Sequence, residues 1–267
     1  MFVSSLGIKI NSTVESKFKK ANLIMKNKGI LFLFSLFFQK IKYYLFSLFY
    51  LSICFIKIKN LKTKNLDELV DFVFNDCRGY LKPMQIRSEI VAFLRFSVRQ
   101  LADKPKIIME IGTARGGTLF LFSRIFPKNS FIISLDLPGG EFGAGYPWWE
   151  IPLYKSFSKD KQIHLIRADS HKIKTLEKVK NILGDRKIDL LFIDGDHTYR
   201  GVKKDFQFYN PLVNRGGIVA FHDIVPHPLG SKCQMVRFWY EIKKKYDYKE
   251  FVEDWQQNWG GIGVIKK

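Results

Sequence analysis

Two carboxylates and an imidazole, Asp194, Asp196 and His197, lie within four residues of one another in the stretch IDLLFIDGDHTY, residues 188–199. Asp194 and His197 are three apart across a Gly turn, close enough to share one small site. A carboxylate and an imidazole so placed can hold a cation or move a proton. A solvated turn also favours Asp and Gly, so the residues that precede it decide the reading. Ile188, Leu190, Leu191, Phe192 and Ile193, interrupted only by Asp189, run straight into the turn. Such a run, followed by a helical pattern, predicts a strand buried on both faces. In an open α/β sheet, ligands bind just beyond the carboxyl ends of strands of this kind.

The same pattern recurs along the chain. Lys106 to Ile111 predicts a first strand, overlapped by Glu110 and followed by Gly112, Thr113, Gly116 and Gly117. Glycines there let backbone approach a ligand at a strand-to-helix turn. The spacing is not the dinucleotide fingerprint, and no Lys-Ser/Thr pair follows to make a nucleotide-phosphate loop. A second strand, Phe131 to Leu135, ends at Asp136, about 20 residues past the glycines, where a ribose diol is commonly held. A third, Ile163 to Ala168, ends at Asp169, Ser170 and His171, and a fifth, Ile218 to Phe221, ends at His222 and Asp223. Glu110, Asp136, Asp169, Asp194 and Asp223 thus gather at one sheet edge, a costly arrangement unless ligands or cations balance it.

The connecting elements follow from period and punctuation. Leu66 to Phe74 has helical spacing; a second helix is expected to open at Pro83 and end near Asp103, with Gln85 and Arg87 placed to line a ligand pocket. Helices are also expected over Lys174–Leu183 and Val202–Tyr209, with last strands at Lys249–Val252 and Gly261–Ile265. Pro138 to Trp149 is a long Gly, Pro and aromatic loop suited to a lid or a surface loop. Tyr209-Asn210-Pro211-Leu212 superficially matches an amino-methylation signature, but it follows a helix rather than a strand and is set aside.

The chain has 267 residues and a formal net charge of +19, and +11 of that charge falls in residues 1–65, with twelve lysines against Glu15. The expected organisation is a basic apolar extension, residues 1–64, and an α/β domain, residues 65–267. Gly29–Phe38 and Tyr43–Ile56 are two apolar blocks separated by Gln39, Lys40 and Lys42. Neither reaches the roughly 20 residues of a spanning helix. Flanking lysines instead suit an interfacial helix on an anionic membrane surface, or a helix that packs in a homo-oligomer, with a true span, which would bury two lysines at mid-membrane, the least favoured reading. Because the charge concentrates outside the α/β domain and no RNA-binding module is evident, nucleic acid is disfavoured as a partner. Cys54, Cys77 and Cys233 match no metal spacing, and no secretory cleavage pattern stands out near the start, which points to a cytoplasmic protein, peripheral on the inner face of the membrane if the extension binds lipid.

The segments MEIGTARGGT, ISLDLPGGEFGAGYP, RADSH, IDLLFIDGDHTYRGVKKDF and GGIVAFHDI together resemble class I S-adenosylmethionine-dependent methyltransferases. The resemblance is to the branch that includes cephalosporin-hydroxylase-like proteins and metal-dependent sugar or macrolide O-methyltransferases, and it covers about residues 65–267. It implies a Rossmann-like seven-stranded sheet, mostly parallel with an antiparallel last strand. It further implies that Glu110, Gly112, Thr113 and Gly116 hold the methionine portion of S-adenosylmethionine, Asp136 the ribose, and Asp169 and Ser170 the adenine. The family pattern assigns Asp194 and the pair His222 and Asp223 to a divalent metal, Mg²⁺ in the relatives, and His197 to the role of base. His222 departs from that pattern, which has a carboxylate there. Magnesium prefers oxygen ligands, whereas imidazole suits Zn, Fe or Ni. The implied reaction is methyl transfer to a hydroxyl of a sugar or glycosylated metabolite. Two rivals stay open: a non-haem iron oxygenase using Asp194, His197 and His222, and a non-catalytic membrane-associated protein on the same fold.

Overall fold

A computed structural model describes residues 30–101, 104, 106–142 and 145–267. The chain parts into two compact units, residues 1–52 and Ile53–Lys267. In the first, everything described belongs to helix α1 (Ile30–Asn60). This is one helix where the sequence suggests two apolar blocks: Gln39, Lys40 and Lys42 all have good helix propensity and do not break it. No helix among the described residues is long and apolar enough to cross a membrane. The end of α1, from Ile53, belongs to the second unit.

That unit is built on a seven-stranded sheet of order β3-β2-β1-β4-β5-β7-β6. The strands are β1 (Ile107–Ile111), β2 (Phe131–Asp136), β3 (Gln162–Arg167), β4 (Ile188–Ile193), β5 (Val213–His222), β6 (Tyr248–Phe251) and β7 (Ile262–Lys266). The pairings from β3 through β5 are parallel, and β7 runs antiparallel between β5 and β6. Every residue of β2 is buried, as is every apolar residue of β4, which is why both read as unbroken apolar runs. Chain order reverses between β1 and β4, the switch point beside which open α/β sheets bind their ligands.

Helices cover both faces: α2 (Leu66–Asn75), α3 (Arg87–Leu101), α4 (Gly117–Ile125), α5 (Ile151–Lys155), α6 (Ile173–Leu183), α7 (Tyr199–Tyr209) and α8 (Met235–Ile242). Local chemistry sets their starts. Asn65 caps α2 by accepting from the Asp67 and Glu68 amides, and Thr198 caps α7 by accepting from Gly201 N at 3.0 Å. Three expectations need correction. Helix α3 begins at Arg87, not Pro83; Pro83 lies in an irregular segment that bends before the helix. Strand β5 begins at Val213 and passes through Gly216 and Gly217, because Gly216 at φ 79° absorbs an irregularity in its pairing with β4. Helix α8 has no counterpart in the sequence reading, yet it buries Met235, Phe238, Trp239 and Ile242.

Candidate active site

The turn after β1 and the turn after β4 are in backbone contact. Gly112, at φ 94°, has no room for a side chain: a Cβ there would lie 1.9 Å from the Asp194 carbonyl oxygen. Asp194 N donates to Ile111 O at 2.8 Å and Gly112 N to Leu135 O at 2.9 Å, so three successive strand ends are stitched together. Gly116, at φ 78°, faces the Tyr154 ring, which a Cβ would meet at 2.8 Å. These contacts place the glycine turn and the Asp194 turn on the two walls of one crevice.

Along the first wall, Glu110 is fully buried; its Oε2 accepts from Thr118 Oγ1 at 2.9 Å, while Oε1 has no hydrogen-bond partner among the described residues. Burial pushes its pKa up to about 8. Thr113 is buried and shares a short hydrogen bond with Ser134. Asp136 Oδ2 accepts from Ala114 N at 2.9 Å. Burial raises Asp136 to about 6, against hydrogen bonds from backbone amides that lower it. Ser170 lines the crevice with Gly112, Asp136, Asp194 and Phe142. Asp169 turns its carboxylate to the His171 amide at 2.8 Å, an Asx-type turn at the edge. Arg87, expected at the pocket, is instead exposed and paired with Asp71 at 2.7 Å. Gln85 does reach the crevice: its Nε2 donates to Asp194 Oδ2 at 2.6 Å, and its buried Oε1 is left without a partner among the described residues.

Beyond β4 and β5 lies a cluster of acids and histidines. Asp194 Oδ1 is approached by His222 Nδ1 at 3.0 Å and His197 Nε2 at 3.3 Å. Asp223 Oδ2 meets His197 Nδ1 at 2.9 Å, and Asp223 Oδ1 meets His227 Nε2 at 3.3 Å and the Gly260 amide at 2.9 Å. Asp223 holds a left-handed conformation, φ 60°, directly at the strand end, a sparsely populated state that tends to mark functional sites. Asp196 takes no part in this cluster; it accepts from Thr198 N at 2.9 Å and braces the start of α7.

Electrostatics follow from this packing. Burial alone would lower His197, but hydrogen bonds to Asp194 and Asp223 outweigh it and push its pKa up to about 12. Burial likewise opposes charge on His222, and the Asp194 and Asp223 carboxylates raise it to about 9. Burial would raise both acids; His222 and His197 hold them below the usual carboxylate range, Asp223 well below. Ligand atoms of Asp194, His222 and Asp223 lie within 4.8 Å of one another, as do those of His197, Asp223 and Cys233. The first group, two carboxylates and one imidazole, fits a divalent cation that tolerates nitrogen better than it fits Mg²⁺.

Free space between the walls is small. The crevice divides into cavities of about 50 Å³ by Asp136 and about 20 Å³ by Gln85, whereas small-molecule sites usually offer roughly 300–1,000 Å³. One filler is Phe142, from the long loop after β2, whose ring stacks on His197 at 4.8 Å between centroids and 13° between planes. Gly143 and Ala144 of that loop lie outside the described residues.

Residues 109–224 match the family model described as a methyltransferase domain. The fold is that of a class I methyltransferase. A Bacillus cereus O-methyltransferase solved with S-adenosylhomocysteine superposes with a TM-score of 0.52 at 16% identity, over 79% of this chain and 96% of that one. A Streptomyces achromogenes O-methyltransferase of tomaymycin synthesis, solved with S-adenosylmethionine, gives 0.50 at 14% identity over 81% and 96%. A calicheamicin methyltransferase gives 0.50 at 15% over 81% and 91%. Two curated proteins, both described as uncharacterized, match in part. One, from Sinorhizobium fredii, is 29% identical over 46% of this chain and 13% of its own length; the other, from Acanthamoeba polyphaga mimivirus, is 56% identical over 14% and 16%. The chain thus spans less than a fifth of the curated relatives it matches.

The candidate site includes residues with no signal in the periodic pattern of the sequence: Phe142, His227 and Cys233. Each comes from an irregular loop, where no period marks which side chain turns inward. His227 follows Asp223 by four residues in a segment rich in His and Pro, and that concentration of histidine beside a strand-end acid was the available signal.

Proposed function

We propose that this chain is an S-adenosylmethionine-dependent O-methyltransferase acting on a hydroxyl of a sugar or a glycosylated small molecule. The observation that carries the reading is the contact between the Gly112 turn and the Asp194 turn, which sets Glu110 and Asp136 directly beside an acid–histidine cluster. The wall suits S-adenosylmethionine: Glu110 Oε1 is a buried acceptor with no partner among the described residues, and Asp136 stands one strand over, where a ribose diol would meet it. S-adenosylmethionine supplies an electrophilic methyl group on a sulfonium; transfer breaks the carbon–sulfur bond, and sulfur keeps the electron pair. The protein's task is to align the hydroxyl with that methyl and to remove the proton. Alignment of this kind is worth roughly 7–11 kcal/mol.

His197 is the base in this reading: Nδ1 meets Asp223 and Nε2 meets Asp194 Oδ1 at 3.3 Å, so Nε2 would take the hydroxyl proton only with the Asp194 carboxylate turned to a cation. Flanked by two carboxylates it holds a proton on each nitrogen, so it acts as a base only once their negative charge is offset. Asp194, His222 and Asp223 are the residues that would hold a divalent cation, whose chemistry there is to stabilise an alkoxide. The calicheamicin enzyme is a precedent for acceptors of the natural-product class.

Calorimetry with S-adenosylmethionine, with and without divalent metal, followed by an acceptor screen of sugars and glycosides, tests the proposal. His197→Ala should lower turnover by roughly 10²–10⁴-fold while cofactor affinity stays within about threefold; unchanged turnover would remove His197 from the role. The cluster also presents two imidazoles to one carboxylate at Asp194, the donor set of non-haem iron oxygenases. Product formation that needs ferrous iron and oxygen but not S-adenosylmethionine would favour that second reading.

A further inference from the structure

A second concavity lies at the opposite edge of the sheet. Helix α4 leads from the glycine turn back to Arg124, and residues 156–161 precede the start of β3, so both segments sit at the amino ends of the strands. With residues 58–64, from the last turn of α1 into the segment after it, they enclose a cleft of about 530 Å³, far roomier than either cavity of the methyltransferase site. Its described lining carries seven lysines and arginines, among them Lys62, Lys128 and Lys159, against one acid, Asp160. That acid is already engaged, with Lys161 Nζ at 3.1 Å and Ser158 Oγ at 2.7 Å. Arg124 spans the wall: Nη2 donates to the Ile58 carbonyl at 3.1 Å, its guanidinium lies over Phe120, and its buried Nε has no partner among the described residues. Burial also holds Arg124 below its ordinary pKa.

Like charges crowded around a concave surface repel one another, and in the described wall only Asp160, paired with Lys161, offsets any of them. Their removal would cost little to the fold, because Lys62, Lys128 and Lys159 are exposed and no ion pair is found for them among the described residues. What such a cleft does complement is an anion with several oxygens, and lysine ammoniums with one arginine fork are the usual phosphate-binding set. We propose that this cleft is a binding site for a phosphate-bearing ligand, separate from the methyltransferase crevice. The phosphate could belong to a soluble phosphoester or to the headgroup of an anionic lipid; the chemistry of recognition is shared, and the test distinguishes the sources.

The full chain is titrated calorimetrically with inorganic pyrophosphate, and its sedimentation is followed with vesicles of phosphatidylcholine alone or with added phosphatidylinositol phosphate. The comparison protein is Lys62→Glu/Lys128→Glu/Lys159→Glu, checked for an unchanged thermal transition. Saturable one-site binding of pyrophosphate is expected, weakened roughly 100-fold or more in the triple variant. If the same variant also abolishes sedimentation with the charged vesicles, and pyrophosphate competes with them, the lipid headgroup is the source. If the variant leaves vesicle binding intact, the soluble phosphoester is. Absence of saturable pyrophosphate binding, or equal binding by the triple variant, overturns the proposal. S-adenosylmethionine binding, measured in the same samples, reports on the methyltransferase reading separately.

Discussion

Replacing Glu110 with glutamine isolates the charge that the proposed cofactor wall offers to an ammonium group. Glu110 is raised to about 8 from a reference of 4.5 by burial, so near pH 7 its neutral form is favoured. To bind the amino-acid end of S-adenosylhomocysteine as an ion pair, the carboxyl must lose its proton, and each pH unit below 8 costs about 1.4 kcal/mol. Affinity should therefore climb roughly tenfold between pH 6 and 7 and flatten towards 8, with release of one proton per ligand. The sign for stability is the reverse. An acid whose folded pKa is raised stabilises the ligand-free fold below about 4.5, and this is lost as pH rises towards 8, on the order of 5 kcal/mol in all. Calorimetry in two buffers of different ionisation enthalpy reads both affinity and proton release. Methylthioadenosine, which keeps the ribose but lacks the amino-acid end, reports on Asp136 alone, itself raised to about 6. Glu110→Gln should make the pH dependence for S-adenosylhomocysteine match that for methylthioadenosine. If the two ligands already share one pH profile in the unaltered protein, Glu110 does not face the cofactor's amine.

His222 is expected to set metal preference: the unaltered chain should bind Mn²⁺ or Zn²⁺ more tightly than Mg²⁺ by calorimetry, and His222→Asp should narrow or reverse that order. Equal affinities before and after the change would show that His222 is not a ligand. Phe142→Ala removes the ring stacked on His197 and should speed S-adenosylmethionine association in stopped-flow fluorescence several-fold; an unaltered association rate would mean that the ring does not gate entry. Gly112→Ala forces a methyl to within 1.9 Å of the Asp194 carbonyl oxygen, and thermal unfolding should show a loss of roughly 3 kcal/mol or more. A transition unchanged within a degree would mean that the two turns can separate freely.

Strand ends were the most legible part of this sequence. Asp136, Asp194 and Asp223 each follow a buried apolar run, and a run that stops at an acid announces both the strand and the edge where it finishes. The order of those strands was not readable from the runs themselves; the family resemblance implied a seven-stranded sheet with an antiparallel last strand, and hydrogen-bond pairing supplies the order. Loops gave much less. Gln85 was expected at the pocket and reaches it, but Phe142, His227 and Cys233 reach the cluster because of where their backbones are carried, and no spacing rule encodes that. Helix α8 is a different case: Met235, Phe238, Trp239 and Ile242 fall at helical intervals, so the signal was present in a short, uncapped stretch and went unread. Arg87 shows the converse error, a polar side chain near a pocket in sequence but satisfied by Asp71 on its own helix layer.

The backbone seam between Gly112 and Asp194 has a consequence for how such an enzyme could diversify. In the proposed reading, donor seat and proton-handling cluster are joined at main-chain level, so neither can drift without dragging the other. New acceptors would have to be accommodated by remodelling the flanking segments, chiefly the one bearing Phe142 and the one from His227 to Cys233. Chemistry would thereby stay constant while the clientele changes.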